Sequence, residues 1–159
     1  MAVNIRLAVN GKAYEVSVGE TEMLIDLLRD RLGFTGTNKD CCQGICGCCT
    51  VLIDGMSATS CLTLAVQMDG ARITTVEGLE KKGSLNNLQR AFVEHGAAQC
   101  GFCTPGFLMT ATGLLNENPK PSKDEIIESI RGNICRCTGY VKIVDAIAAA
   151  AAESPSIKT

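Results

Sequence analysis

The first residues alternate. Val3, Ile5, Leu7 and Val9 are apolar, with polar or small residues between them, which is the two-residue period of a strand with one buried face. Asn10-Gly11 follows, the dipeptide that favours a tight two-residue hairpin turn. Tyr14, Val16 and Val18 then supply the returning strand. The period changes after that. Met23, Leu24, Leu27 and Leu28 have helical spacing, and Gly33 is a natural stop. Beyond a loop dense in glycine and cysteine, Val51 to Ile53 predicts a strand that turns at Asp54-Gly55, and Arg72 to Val76 predicts one more. A hairpin, a helix and further strands together predict a β-grasp sheet.

The second half has helical periodicity throughout. Ser84 is placed to cap a helix carrying Leu85, Leu88 and Phe92 and ended by Gly96. Pro105 opens the next helix, where its missing N–H costs little. That helix carries Leu108, Ala111, Leu114 and Leu115 and stops before Pro119. Ser122 and Glu125 form a capping box for a third helix with Ile126, Ile127 and Ile130. A fourth runs from about Tyr140 to Ala152. The fold class that follows is α+β, with a sheet domain over residues 1–78, a linker over 79–83 that includes Lys81-Lys82, a four-helix domain over 84–152 and a tail from 153 to 159. His95, the single histidine, falls at a helix C-terminus, where the dipole favours an imidazolium. Met23, Met56, Met68 and Met109 read as core filler.

Composition narrows the function. The chain has 159 residues, 46% hydrophobic and 20% charged, with 15 basic residues against 17 acidic ones. No run of like charge stands out, so neither a nucleic-acid partner nor a membrane surface is expected. The start, Met1-Ala2-Val3-Asn4, has no apolar export segment and no twin arginine, which reads as cytoplasmic. Ten cysteines in such a chain are the anomaly. A disulfide scaffold belongs to an oxidising compartment, so thiols in this number point to metal or iron–sulfur.

The cysteines sort into two groups. Cys41, Cys46 and Cys49 form C-x4-C-x2-C, the plant-type [2Fe–2S] spacing, with Cys61 as a distant fourth ligand. Four thiolates are needed because each iron takes two from the protein. Taking Cys42 or Cys48 instead departs from that spacing, so these two read as small packed thiols. The second group is Cys100, Cys103, Cys135 and Cys137, in which each half precedes a predicted helix. Helix N-termini present free N–H groups and a positive dipole end, which suit an anionic cluster. By local pattern alone, C-x2-C with C-x-C equally fits a structural zinc site. The iron–sulfur spacing elsewhere in the chain tips the second group toward [2Fe–2S].

Three blocks then carry a family resemblance. They are Cys41 with Cys46-Gly47-Cys48-Cys49-Thr50-Val51-Leu52-Ile53-Asp54-Gly55 and Ser60-Cys61-Leu62; Gln99-Cys100-Gly101-Phe102-Cys103-Thr104-Pro105-Gly106; and Gly132-Asn133-Ile134-Cys135-Arg136-Cys137-Thr138-Gly139-Tyr140. Together they resemble the small iron–sulfur subunit of the xanthine oxidase family of molybdenum hydroxylases, from Val3 to about Ala150. Cys42 and Cys48 depart from the family, which commonly has a small non-cysteine residue at those positions. The resemblance implies a plant-ferredoxin-like domain followed by a helical [2Fe–2S]-binding domain. It implies partner subunits as well: a large one with molybdopterin, in many bacterial relatives the cytosine dinucleotide, and a medium one with FAD, as a dimer of heterotrimers. By the same resemblance, the cluster on Cys100, Cys103, Cys135 and Cys137 lies nearer molybdenum and that on Cys41, Cys46, Cys49 and Cys61 nearer the flavin. Gln99 would hydrogen-bond the pterin, and Cys137 would face it. The expected role is a relay of single electrons between molybdopterin and FAD, with no substrate chemistry on this chain. The alternatives are a free-standing two-cluster ferredoxin, a zinc-stabilised interaction module and a periplasmic relative.

Overall fold

The computed structural model describes residues 2–80 and 83–153. Strands β1 (Ala2–Val9) and β2 (Lys12–Gly19) form an antiparallel hairpin in which Ile5 faces Val16. Asn10 and Gly11 both take positive φ at its turn, as a type I′ turn requires. Strands β3 (Thr50–Ile53) and β4 (Met56–Thr59) pair across Asp54-Gly55 in the same manner. Strand β5 (Arg72–Thr74) joins the two hairpins, parallel to β1 and antiparallel to β3, and the mixed sheet has the order β2-β1-β5-β3-β4.

Helix α1 (Leu24–Asp26) covers one face of this sheet and widens into a π-helical segment, Leu27–Arg31, before Gly33. Leu24, Leu27 and Leu28 are buried there with Ile5, Leu7, Val9, Val18, Val51 and Ile73. The apolar alternation of β1 is the cause of that core: every second side chain points at α1. The wider turn also matters further along the chain. It leaves Arg29 Nη1 donating to the carbonyls of Thr35 and Thr37, at 2.5 and 2.6 Å, which ties down the segment leading to Cys41.

Helices α2 (Asn87–Glu94), α3 (Thr104–Glu117), α4 (Lys123–Ser129) and α5 (Val141–Glu153) form a second core. Helix α3 is buried on most of its surface because it lies between the other helices and the sheet. Strand β3 shows why the halves adhere. Val51 packs with α1, whereas its neighbour Leu52 belongs to the helical core, so the sheet is buried on both faces at that strand. Gly113 of α3 makes the approach possible: a Cβ there would stand 3.3 Å from Ser57 Cβ and 3.4 Å from Leu52 Cδ2.

Several boundaries differ from those expected. Asn86, not Ser84, caps α2, through a reciprocal box with Gln89. Leu85 therefore precedes the helix and stays exposed. The last strand ends at Thr74 rather than Val76. The Thr75 N–H donates to Asn10 Oδ1 instead of a neighbouring strand, and Val76–Leu79 turns as a short 3-10 helix. Leu79 is only 1% exposed and joins the helical core, although it falls within the expected linker. Lys81-Lys82 and residues 154–159 lie outside the described residues, while Glu153 is still helical and pairs with Arg90 at 2.8 Å. Met56 is 63% exposed on β4 and fills no core. The capping box of Ser122 and Glu125, Pro105 in the first turn of α3 and His95 at the end of α2 stand where expected.

Candidate metal centres

The first group of thiols sits on a loop between α1 and β3, with its distant member at the end of β4. Cys46, Cys49 and Cys61 are buried, and Cys41 is half-buried. Cys49 and Cys61 pack together with Ile25 in a small core of their own. The Ser60 hydroxyl and N–H both donate to the Cys49 carbonyl, which holds the two strand ends side by side. The backbone N–H groups of Gln43 and Cys46 both point at Cys41 Sγ, each at 3.4 Å. These donors, Gln43 first, lower the Cys41 thiol to about 7. Burial raises Cys49 to about 11. Such a pattern, backbone donors converging on sulfur in a largely dry loop, is what a thiolate-bound iron–sulfur core takes.

The second group is put together from two segments. Cys103 caps α3, and Cys135 and Cys137 lie on the loop entering α5. Cys100 Sγ and Cys137 Sγ stand 3.6 Å apart, far beyond a disulfide bond. All ten cysteines are free thiols. Cys103 and Cys135 also lie against each other, and burial raises Cys103 to about 12. Burial works the same way on Cys135, but the hydroxyl and N–H of Thr138, at 3.1 and 3.4 Å from its sulfur, outweigh it and lower that thiol. The thiols thus associate two by two in each group, Cys41 with Cys46, Cys49 with Cys61, Cys100 with Cys137, and Cys103 with Cys135. Two pairs per group match a core with two irons, each needing two protein ligands.

Hydrogen bonds onto backbone carbonyls lock the two loops together. The Ile134 N–H donates to the Cys46 carbonyl at 2.9 Å. Asn133 Nδ2 donates to the Gly47 carbonyl at 3.1 Å, and Asn38 Nδ2 to the Phe102 carbonyl at 2.7 Å. Gly47 is obligatory here. Its φ is +69°, and a Cβ would stand 2.4 Å from both Asn133 Nδ2 and the Gly132 carbonyl. Tyr140 adds a further tie, accepting from the Cys135 N–H at 3.0 Å and donating to the Asn133 carbonyl at 3.2 Å. Between the loops lies a cavity of about 350 Å³, lined on one side by Ile45, Cys46 and Cys48 and on the other by Phe102, Cys103 and Ile134.

Sequence reasoning brought the eight thiols into two groups but assigned no task to Asn38, Asn133, Thr138 or Tyr140. A signal was present: these are polar or aromatic residues within a few positions of ligand-type cysteines. Of the two surplus cysteines, Cys48 is buried as expected. Cys42 is exposed, with φ at +52°, and packs against nothing that would make it core. Gln99 is exposed beside Cys100.

Two family models divide the chain. One, described as a 2Fe-2S iron-sulfur cluster binding domain, matches residues 7–75. The other, a [2Fe-2S] binding domain, matches residues 75–148. The nicotine 6-hydroxylase small subunit of Paenarthrobacter nicotinovorans is 53% identical over 145 residues, 91% of this chain and 87% of that protein. The chain belongs to the small iron–sulfur subunits of the xanthine oxidase family of molybdenum hydroxylases. It is also 44% identical over 145 residues to the nicotinate dehydrogenase small FeS subunit of Eubacterium barkeri, covering 91% of this chain and 92% of that protein. In quinoline 2-oxidoreductase from Pseudomonas putida 86, one chain superposes with a TM-score of 0.91 at 52% identity, covering 95% of this chain and 94% of that one. The small subunit is an electron-transfer component of an oxidoreductase, and the reading as a free-standing ferredoxin is not favoured.

Proposed function

We propose that Cys41, Cys46, Cys49 and Cys61 hold one [2Fe–2S] cluster and Cys100, Cys103, Cys135 and Cys137 a second. The first would sit on a plant-ferredoxin-like β-grasp domain and the second on a four-helix domain. When bound, the clusters supply one-electron redox chemistry. The chain's own residues hold the thiolates, exclude water and aim N–H and hydroxyl donors at the sulfurs. The observation that carries this reading is the pairing of thiols two by two on loops joined by the Ile134-to-Cys46 hydrogen bond, which sets the two groups side by side.

The partners follow from the family. A large subunit would carry molybdopterin, as its cytosine dinucleotide, a medium one FAD, and the assembly would be a cytoplasmic dimer of heterotrimers. Among the described residues no helix is long and apolar enough to cross a membrane. Exposure supports one orientation. Cys100 and Cys137 open to solvent beside Gln99 and are ringed by Phe102 and Ile134, at 45% and 47% exposure. That face would receive the molybdopterin subunit, with the Gln99 amide free to donate to and accept from the pterin edge. Electrons would then pass one at a time between that side and FAD by way of the buried N-terminal group.

The test is iron and acid-labile sulfide per chain on anaerobically purified protein, with EPR after dithionite reduction. About four irons and four sulfides, with two distinct S = 1/2 signals, are expected. About two of each, with zinc in the remaining group, would leave a one-cluster protein and end the relay.

A further inference from the structure

The first thiol loop carries a feature that the ligand set does not use. One carboxylate oxygen of Asp40, Cys46 Sγ and Cys48 Sγ all lie within 4.8 Å of one another. Asp40 is exposed and forms no ion pair among the described residues. Cys48 is buried beneath it, and its thiol reaches the Cys46 carbonyl at 3.9 Å. That carbonyl is the acceptor that ties the loop to Ile134. The facing wall of the same cavity carries Arg136, between Cys135 and Cys137. The two walls therefore bear opposite charge, each next to its own thiol group.

We propose that Asp40 is a potential-setting residue, whose carboxylate lowers the reduction potential of the cluster on Cys41, Cys46, Cys49 and Cys61 relative to its neighbour. This rests on the ligand assignment above. The physics is a fixed charge beside a centre that gains an electron. An anion close to a ligand sulfur disfavours the added negative charge, and the effect falls with distance and with solvent screening. The Asp40 carboxylate lies within 4.8 Å of Cys46 Sγ, whereas the second group lines the other wall of the same cavity, so its effect is larger on the first cluster.

The test is a potentiometric EPR titration of the assembled complex carrying Asp40→Asn. The signal of the N-terminal cluster should move to higher potential by about a tenfold change in its one-electron equilibrium, or about 59 mV. The signal of the C-terminal cluster should move clearly less and serves as the internal comparison. Asp40→Glu, which keeps the charge, should return the potential toward its original value. Glu94→Gln, a remote charge change on α2, should move neither signal. An unmoved N-terminal signal, an equal shift of both signals, or an Asp40→Glu variant that behaves like Asp40→Asn would overturn the proposal. Absence of the N-terminal signal from the unaltered complex would overturn the ligand assignment itself, so the two failures are told apart.

Discussion

The two thiol groups offer the same chemistry by different constructions. The N-terminal group takes three cysteines from one nine-residue loop and one from a strand end, and three of its four thiols are buried. The C-terminal group joins two segments more than thirty residues apart, and two of its four thiols are exposed. A compact loop wrapped by its own backbone can shield a metal core within one chain. A group spread over loops that lead into helices stays open on one side and is completed by whatever docks there. The difference teaches that burial is set by how the chain supplies the thiols, since both groups carry the same four side chains.

The strongest way to break this comparison is to remove one ligand from each side. Cys49→Ala and Cys100→Ala should each cut iron to about half, about two per chain, and each should erase a different EPR signal. Both should lower the unfolding temperature, since each loses the stabilisation a bound cluster gives the fold, and Cys49→Ala should lower it further because Cys49 also packs in a buried core with Cys61 and Ile25. Loss of both signals from either variant would show that the groups do not form independently.

Next in size is Phe107→Ala. Phe107 is fully buried in the helical core and meets Tyr140 edge-on at 6.0 Å. Its truncation should cost about 3–5 kcal/mol in denaturant unfolding. Since Tyr140 holds the Cys135 N–H, the C-terminal EPR signal should broaden while the N-terminal signal keeps its shape. Gly106→Ala targets the seam instead. A Cβ there would stand 2.2 Å from the Gly47 carbonyl, and the loop backbone has to shift to admit it. A loss of about 1–3 kcal/mol is expected, with both signals perturbed because the seam belongs to both loops. Asn86→Ala removes a cap far from either group and should cost about 1 kcal/mol with both signals intact.

The mildest perturbation leaves the fold untouched. In metal-free protein, Cys41 should be alkylated well before Cys48 or Cys103. Backbone donors bring Cys41 to about 7, while burial raises the other two to about 12. The reactive species is the thiolate, so labelling of Cys41 should rise as pH passes upward through about 7 and fall about tenfold per unit below it. Mass spectrometry of peptides labelled at several pH values reads this directly. Equal labelling of Cys41 and Cys48 at pH 7 would contradict the contrast between an N–H-rich rim and a dry interior.

How much was legible beforehand varies along the chain in a physical way. Hairpin β1–β2, helix α1 and the capping box of α4 depend on neighbours a few residues apart, and Val3 to Val18, Met23 to Leu28 and Ser122 to Glu125 show them plainly. The closeness of Cys41 and Cys46 on one loop was equally legible, because they stand five residues apart. The cap of α2 was misplaced by two residues: Ser84 and Asn86 are both good caps, and only the Gln89 side chain reaching back to Asn86 chooses between them. The end of β5 was missed because the donor at Thr75 is captured by Asn10, 65 residues away.

What the sequence determined by itself, then, is the local elements and the family to which the chain belongs, since both are written in motifs and short-range spacing. What only the tertiary structure decided is the relation between the groups. The Ile134 N–H on the Cys46 carbonyl, Asn133 on Gly47, the opposed Asp40 and Arg136, and the exposure of one thiol group beside the burial of the other arise where β3 is covered on both faces and α3 settles against it. Contacts between residues some ninety positions apart leave no periodic trace in a single chain. They exist because two cores share one strand and must close around the same loop.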